Sequence, residues 1–364
     1  MDAKQDFYLA ALSTCPGLGS RRLGALLERQ PDAEALWHMS AQEMYHLVKM
    51  PSGLLEALTS LRQANPDLPK RLADACQRRQ VHLCTLQDES YPYLLKEIFS
   101  PPAVLYYRGV LMPKARRVAM VGSRRFSPYG EALALEFGEQ LAAAGLTVVS
   151  GAARGIDTRS HRGALKTGRT VAVLGCGIDV AYPPENRRLL AEIAEQGAVI
   201  SEYGPGVQPL PAFFPARNRI ISGLSAGTLV VEAAARSGSL ITAEMALNEG
   251  REVYALPGSV FSKTSEGCHH LIQQGAKLVT KPGEILKDFG IVQEMLPKKR
   301  LKMTPEERKV YQVLSFEHPL SADEILLSLP DGEMPNLSFT LLQMELKGLI
   351  LENELHAYRR AERE

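Results

Sequence analysis

Between residues 115 and 285 the chain alternates short apolar, β-branched runs with helical stretches, and this alternation constrains the fold more than any other feature. The runs cover residues 117–121, 147–149, 170–174, 198–201, 228–231 and 252–255. They are apolar at successive positions rather than at every second one, so both faces must be covered. That is the signature of parallel strands sandwiched between helices. Strand, helix and strand recur at ~25–30 residues, the size of a βαβ unit. The pattern predicts an α/β fold: an extended Rossmann-like, doubly wound, mostly parallel sheet. Two shorter strand-like pieces, 81–86 and 103–107, precede it in a connector broken by Tyr91-Pro92 and Pro101-Pro102.

The flanks have another texture. A chain of 364 residues exceeds the usual size of one domain. Residues 1–75 read as short helices around Pro16-Gly17-Leu18-Gly19, a helical hairpin similar to a helix-hairpin-helix or SAM-like unit. Residues 76–290 form the Rossmann-like domain, and 291–302, with Pro297-Lys298-Lys299-Arg300, a linker. In 303–364, Thr304-Pro305-Glu306-Glu307 and Ser321-Ala322-Asp323-Glu324 are helix starts, 337–349 is an amphipathic helix, and 350–352 with 355–358 suggest a β-wing. The order is that of a winged helix.

Several function classes are excluded at this level. No apolar run reaches the ~18 residues that cross a bilayer. The start, MDAKQDFYLAAL, lacks the form of a secretion signal. The five cysteines make no CxxC pair, so neither a disulfide framework nor a metal site is expected. The reading is a reduced, cytoplasmic protein without metal, cofactor or membrane partner. Oxidoreductase chemistry lacks its parts, because the first loop has no GxGxxG and no acidic residue closes the second strand. Asp157 and His161 lie one helical turn apart, where they can pair on a helix face.

In an open parallel sheet, ligands sit beyond the carboxyl ends of the strands. Read there, the first strand empties into Gly122-Ser123-Arg124 and the second into Ser150-Gly151-Ala152-Ala153-Arg154-Gly155. After the fourth, a long excursion carries Phe213-Phe214-Pro215-Ala216-Arg217-Asn218-Arg219. Glycines allow close backbone approach, helix starts supply amides, and arginines complete an anion site. Charge points the same way. Formal charges nearly cancel overall, at 42 basic and 41 acidic residues, yet 114–225 holds 14 Lys and Arg against 9 Asp and Glu. Residues 301–364 invert this, at 7 against 12. The paired phenylalanines beside Arg217 and Arg219 offer base stacking next to phosphate contacts, the recipe for single-stranded nucleic acid. The final amphipathic helix has only Lys347 as a cation, a poor complement to a DNA groove. That unit reads as a protein-contact or regulatory module.

The loops in this order resemble the DNA-processing protein A (DprA/Smf) family. The resemblance rests on Val121-Gly-Ser-Arg124, Ser150-Gly-x-Ala-x-Gly-Ile-Asp157, Leu174-Gly-x-Gly-Ile-Asp179 with Tyr182-Pro183, and Ser201-Glu-Tyr-Gly-Pro-Gly206. It continues through Phe214-Pro-x-Arg-Asn-Arg-Ile-Ile-Ser222, Val231-Glu-Ala-x-x-x-Ser-Gly-Ser239, Ala255-x-Pro-Gly258 and Gly267-Cys268, spanning about residues 80–285. Two positions depart from it: His269 stands where asparagine is common, and Pro184 where some members carry a basic residue. The resemblance implies a non-enzymatic protein that binds single-stranded DNA, forms a homodimer through the Rossmann-like domain, and loads the RecA recombinase during natural transformation. It also puts Arg124 and the 213–219 segment on the DNA-contact surface. The second reading is an enzyme, since Gly227-Thr228 to Glu232 resembles the Gly-Thr-x-x-Glu element of nucleotide phosphoribohydrolases, with one residue too many between Thr and Glu. A third makes the chain chiefly a scaffold with incidental, salt-labile DNA contact.

Overall fold

The computed structural model describes residues 3–291, 303–316, 318–329, 334–353 and 356–361. The expected linker, from 292 onward, falls outside them. Nine strands form one sheet: β1 His82–Thr85, β2 Val104–Gly109, β3 Arg117–Val121, β4 Thr147–Ser150, β5 Thr170–Leu174, β6 Ala198–Ser201, β7 Gly227–Val230, β8 Glu252–Ala255 and β9 Lys277–Leu278. Their spatial order is β1-β2-β6-β5-β4-β3-β7-β8-β9. Every pair from β6 to β9 is parallel, while β2 runs antiparallel to both β6 and β1. The chain therefore builds outward from β3 to β6 on one side, then returns to lay β7, β8 and β9 on the other. Between β3 and β7 the winding reverses, which opens a crevice at their carboxyl ends.

Burial explains why these runs are strands. All five residues of β3 and of β5 are inaccessible, as are all four of β4, β6 and β7. Helices cover both faces. On one, Pro128–Ala143 and Ile156–Leu165 enclose Leu133, Phe137 and Leu141 against Val118, Met120 and Val148. On the other, Phe213–Gly223 and Gly238–Asn248 bring Ile220, Ile221 and Ala243 onto Ala119, Val149 and Val173. Arg117 opens β3 yet is buried, folding its guanidinium back to donate to the Ala115 and Met112 carbonyls. All five cysteines are free and buried.

The N-terminal region is helical, with segments such as Ala3–Ser13, Ser20–Arg29 and Ser52–Ala64. Its core, from Leu9 and Leu12 to Leu72, runs continuously into Leu174, Ile178 and Leu190 of the sheet layer. At the other end, Pro305–Val313, β10 Leu320–Ser321, Ala322–Ser328, Leu337–Leu346, β11 Ile350–Glu352 and β12 Ala357–Arg360 follow in turn. The three strands pair antiparallel in the order β10-β12-β11. Both helix starts predicted from sequence are capping boxes, with Thr304 reciprocated by Glu307 and Ser321 by Glu324.

Candidate nucleic-acid interface

The first loop, after β3, is stitched to β7. Ser123 donates its amide to the Glu232 carbonyl at 2.7 Å. Ser127, which caps the Pro128–Ala143 helix, gives its amide and hydroxyl to the Glu232 carboxylate at 2.9 and 2.6 Å. Thr264, beyond β8, donates to the same carboxylate at 3.1 Å. Glu232 is thus a buried tether that gathers three loops over the crevice. In sequence Glu232 stands both in the Val231-Glu-Ala motif and in the Gly-Thr-x-x-Glu-like element, and neither predicts this tethering role. Both of its carboxylate oxygens accept hydrogen bonds, one from the Ser127 amide and the other from the Ser127 and Thr264 hydroxyls. What remains outside is the side chain of Arg124, exposed, with Arg125 beside it.

The second loop, after β4, was expected to be an anion cradle and is instead filled from within. The amides of Gly151 and Ala153 donate to Asp157 at 3.2 and 3.3 Å. The hydroxyl of Ser150 donates to the Met120 carbonyl at 2.6 Å. Ala152 sits at φ +50°, a conformation non-glycine residues rarely adopt, and Asn186 holds it there by donating to its carbonyl at 2.9 Å. Ser150, Gly151 and Gly155 are all buried. They therefore shape the loop rather than touch a ligand. Gly155 has a specific reason to be glycine: at φ +91° a Cβ would run into the Ser123 and Arg124 backbone. The second loop thereby sets the height at which Arg124 is presented.

Arg217 is the larger correction. It is 5% exposed, with its guanidinium donating to the Gly151 carbonyl at 2.7 Å and to the Val173 carbonyl. Burial depresses its pKa and raises that of Asp157, and each charge opposes the shift of the other. The cause is helical. Residues 213–219 are not a loop but the start of the Phe213–Gly223 helix, which turns Arg217, Ile220, Ile221 and Leu224 to one inner face. Arg217 is a positioning residue beneath the rim. Two of the fourteen cations counted between 114 and 225, Arg117 and Arg217, thus contribute nothing to the surface.

The helix start also engages both phenylalanines, the pair expected to offer base stacking. Phe213 stacks on Tyr203 with centroids 4.1 Å apart, and Phe214 meets Tyr182 at 5.3 Å. Each is half-buried, and the exposed member of this aromatic row is Tyr182. Arg219 pairs with Glu202 at 2.6 Å, Arg154 with Glu185, and Asn218 donates to the Gly238 carbonyl at 3.4 Å. Asp157 and His161 do not pair: His161 Nδ1 lies 2.7 Å from the Thr170 hydroxyl, and burial pushes its pKa down to about 3.

Among the described residues, exposed cations beyond the carboxyl ends of the strands with no carboxylate within ion-pair distance include Arg124 and Arg125 after β3, Arg187 after β5, Arg236 after β7, Lys263 after β8 and Lys281 after β9. They lie on loops and helix starts at one end of the sheet, the end that also carries Tyr182, Tyr203, Phe213 and Phe214. The sequence profile of the family described as DNA recombination-mediator protein A matches residues 82–290. The chain belongs to the DNA recombination-mediator protein A family. It is 51% identical over 207 residues to DNA processing protein DprA of Streptococcus pneumoniae, covering 56% of this chain and 73% of that protein. The crystal structure of the pneumococcal protein superposes with TM-score 0.67 at 39% identity, over 79% of this chain and 98% of that one. DprA of Helicobacter pylori, described for its single-stranded DNA binding mode, superposes with TM-score 0.52 at 29% identity, over 57% of this chain and 95% of that one. No helix among the described residues is long and apolar enough to cross a membrane.

Proposed function

We propose that this member of the family is a non-catalytic protein that binds single-stranded DNA along the carboxyl rim of its sheet and loads the RecA recombinase onto it during natural transformation and homologous recombination. It acts in the cytoplasm as a homodimer through the Rossmann-like domain, residues 76–290. Residues 1–75 are a helical domain, 291–302 a linker and 303–364 a winged helix. The observation that carries the reading is the set of unpaired cations, Arg124, Arg125, Arg187, Arg236, Lys263 and Lys281, at the same end of the sheet as half-buried aromatic rings.

Because most loop amides are used internally, phosphate contact falls to side chains. Guanidinium groups suit it, since they present several donors in a planar fork. A duplex would present its charge without unstacked bases, whereas a single strand can place bases against the rings. The Helicobacter relative supports this choice of ligand. Mobility shifts with the full chain test it. Oligo-dT should bind more tightly than a duplex of equal length, and the complex should let RecA assemble on a strand otherwise occupied by a single-strand-binding protein. Equal affinity for both forms would contradict the first part, and no gain in RecA assembly the second.

A further inference from the structure

We infer that Phe261 is a base-stacking subsite on the far side of the crevice, extending the single-stranded DNA path from β3 across β7 to the loop after β8. This rests on the proposed function and adds a contact that the residues on the β3–β6 side do not supply.

Phe261 is 95% exposed and its neighbour Val260 is 77% exposed. An apolar ring fully in water is unfavourable in proportion to its area, and a flexible loop would fold it away. This loop is pinned. At its entry, Tyr129 donates to the Pro257 carbonyl at 2.9 Å, and His269 Nε2 lies 3.0 Å from the Gly258 carbonyl. At its exit, Thr264 is bonded to Glu232, the carboxylate that also fixes the β3 loop. Within the tip, the amides of Phe261 and Ser262 donate to the Ser259 hydroxyl and carbonyl at 3.3 and 3.0 Å. The ring is therefore held outward, by bonds shared with the loop that carries Arg124.

Charge selects the occupant. Lys263 on the same loop and Arg236 on the neighbouring β7 loop are exposed, and neither has a carboxylate within ion-pair distance among the described residues. An exposed aromatic sharing its loop with one unpaired cation, next to a loop that carries another, fits an unpaired base flanked by its phosphates. A protein partner with an apolar contact surface would leave those two charges unanswered.

The test uses the full chain with oligo-dT. Phe261→Ala should weaken binding roughly five- to hundredfold, the range for losing one stacked base. Its salt dependence should stay that of the wild type, because no cation is removed. Inorganic polyphosphate, a polyanion without bases, should bind the variant and the wild type alike. Phe261→Trp should change its emission on adding oligo-dT, against a constant background from Trp37, which is buried in the N-terminal helices. Wild-type affinity in Phe261→Ala together with an unresponsive Trp at 261 would overturn the subsite while leaving DNA binding standing. So would an equal loss of polyphosphate binding, or a changed oligomeric state at unchanged DNA affinity. A wild-type chain that binds no oligo-dT would overturn the functional reading as well.

Discussion

The sheet's carboxyl rim and the helix Leu337–Leu346 each present an exposed surface, and they are built in opposite ways. At the rim four rings are paired, Phe213 with Tyr203 and Phe214 with Tyr182, while arginines, a lysine and the Phe261 ring stay outside. In the C-terminal unit two cations are tied down instead. Lys347 binds the buried Glu307 at 2.6 Å, and Arg360 donates to the Tyr311 carbonyl at 2.9 Å while lying over its ring. Left outside are Phe339, Leu342 and Leu346 along one helix face, with Leu346 81% exposed. Free cations address phosphates. An apolar stripe does not. The sign of the net charge in each region hinted at this difference, but the division between spent and unspent side chains decides it.

The sharpest way to break the comparison is at Arg217. Arg217→Ala should destabilise the chain by about 2–5 kcal/mol, because it leaves a cavity and strips the buried Gly151 and Val173 carbonyls of their donor. Chemical denaturation reads this directly, and a loss below about 1 kcal/mol, within the ordinary range for a surface change, would mean Arg217 is not the prop described. Gly155→Ala comes next. It should cost about 1–3 kcal/mol from the positive φ and should also weaken oligo-dT binding, since the added methyl displaces the backbone of Arg124. Unchanged affinity would detach the second loop from the first.

Acid provides a third probe. Burial holds His161 neutral, with its pKa down at about 3 against an ordinary 6.5. Below pH 6.5 the unfolded chain takes up a proton at this residue that the folded one refuses, so its contribution is complete above that pH and is lost as pH falls toward 3. The slope from this one group approaches about 1.4 kcal/mol per pH unit. His161→Gln should flatten the acid limb of a stability-against-pH curve, and an identical limb would refute the assignment. The smallest effect is a predicted null. Leu342→Gln with Leu346→Gln should leave oligo-dT affinity unchanged within about twofold, under 0.5 kcal/mol. A substantial loss would make the helix part of the DNA surface.

Much of this architecture was legible in the amino-acid sequence. The six parallel strands from β3 to β8 were found within a residue or so, because doubly covered strands must be apolar at every position. The two-residue β9 escaped, since Lys277 and Leu278 are exposed and carry no such pattern. The glycine-bearing loops do follow the carboxyl ends of the parallel strands, but the work of each residue in them was not legible. Arg124 and Arg217 both follow small residues and look alike in one dimension. The signal that separates them is the spacing of Arg217 with Ile220, Ile221 and Leu224, an inner helix face visible only once 213–219 is read as helix. Asn186 and Glu232 were missed as fasteners because their partners lie 34 and 105 residues away. Phe261 carried no motif at all.

The central claim is that unpaired side-chain cations on the rim hold a single strand, and Arg124 is its most exposed test. Titration of oligo-dT against the full chain and Arg124→Glu, each at several salt concentrations, measures it most directly. The Arg124→Glu variant should melt at the wild-type temperature, bind at least about tenfold more weakly, and show a shallower dependence on salt. An Arg124→Glu chain with wild-type affinity and an unchanged salt slope would contradict it.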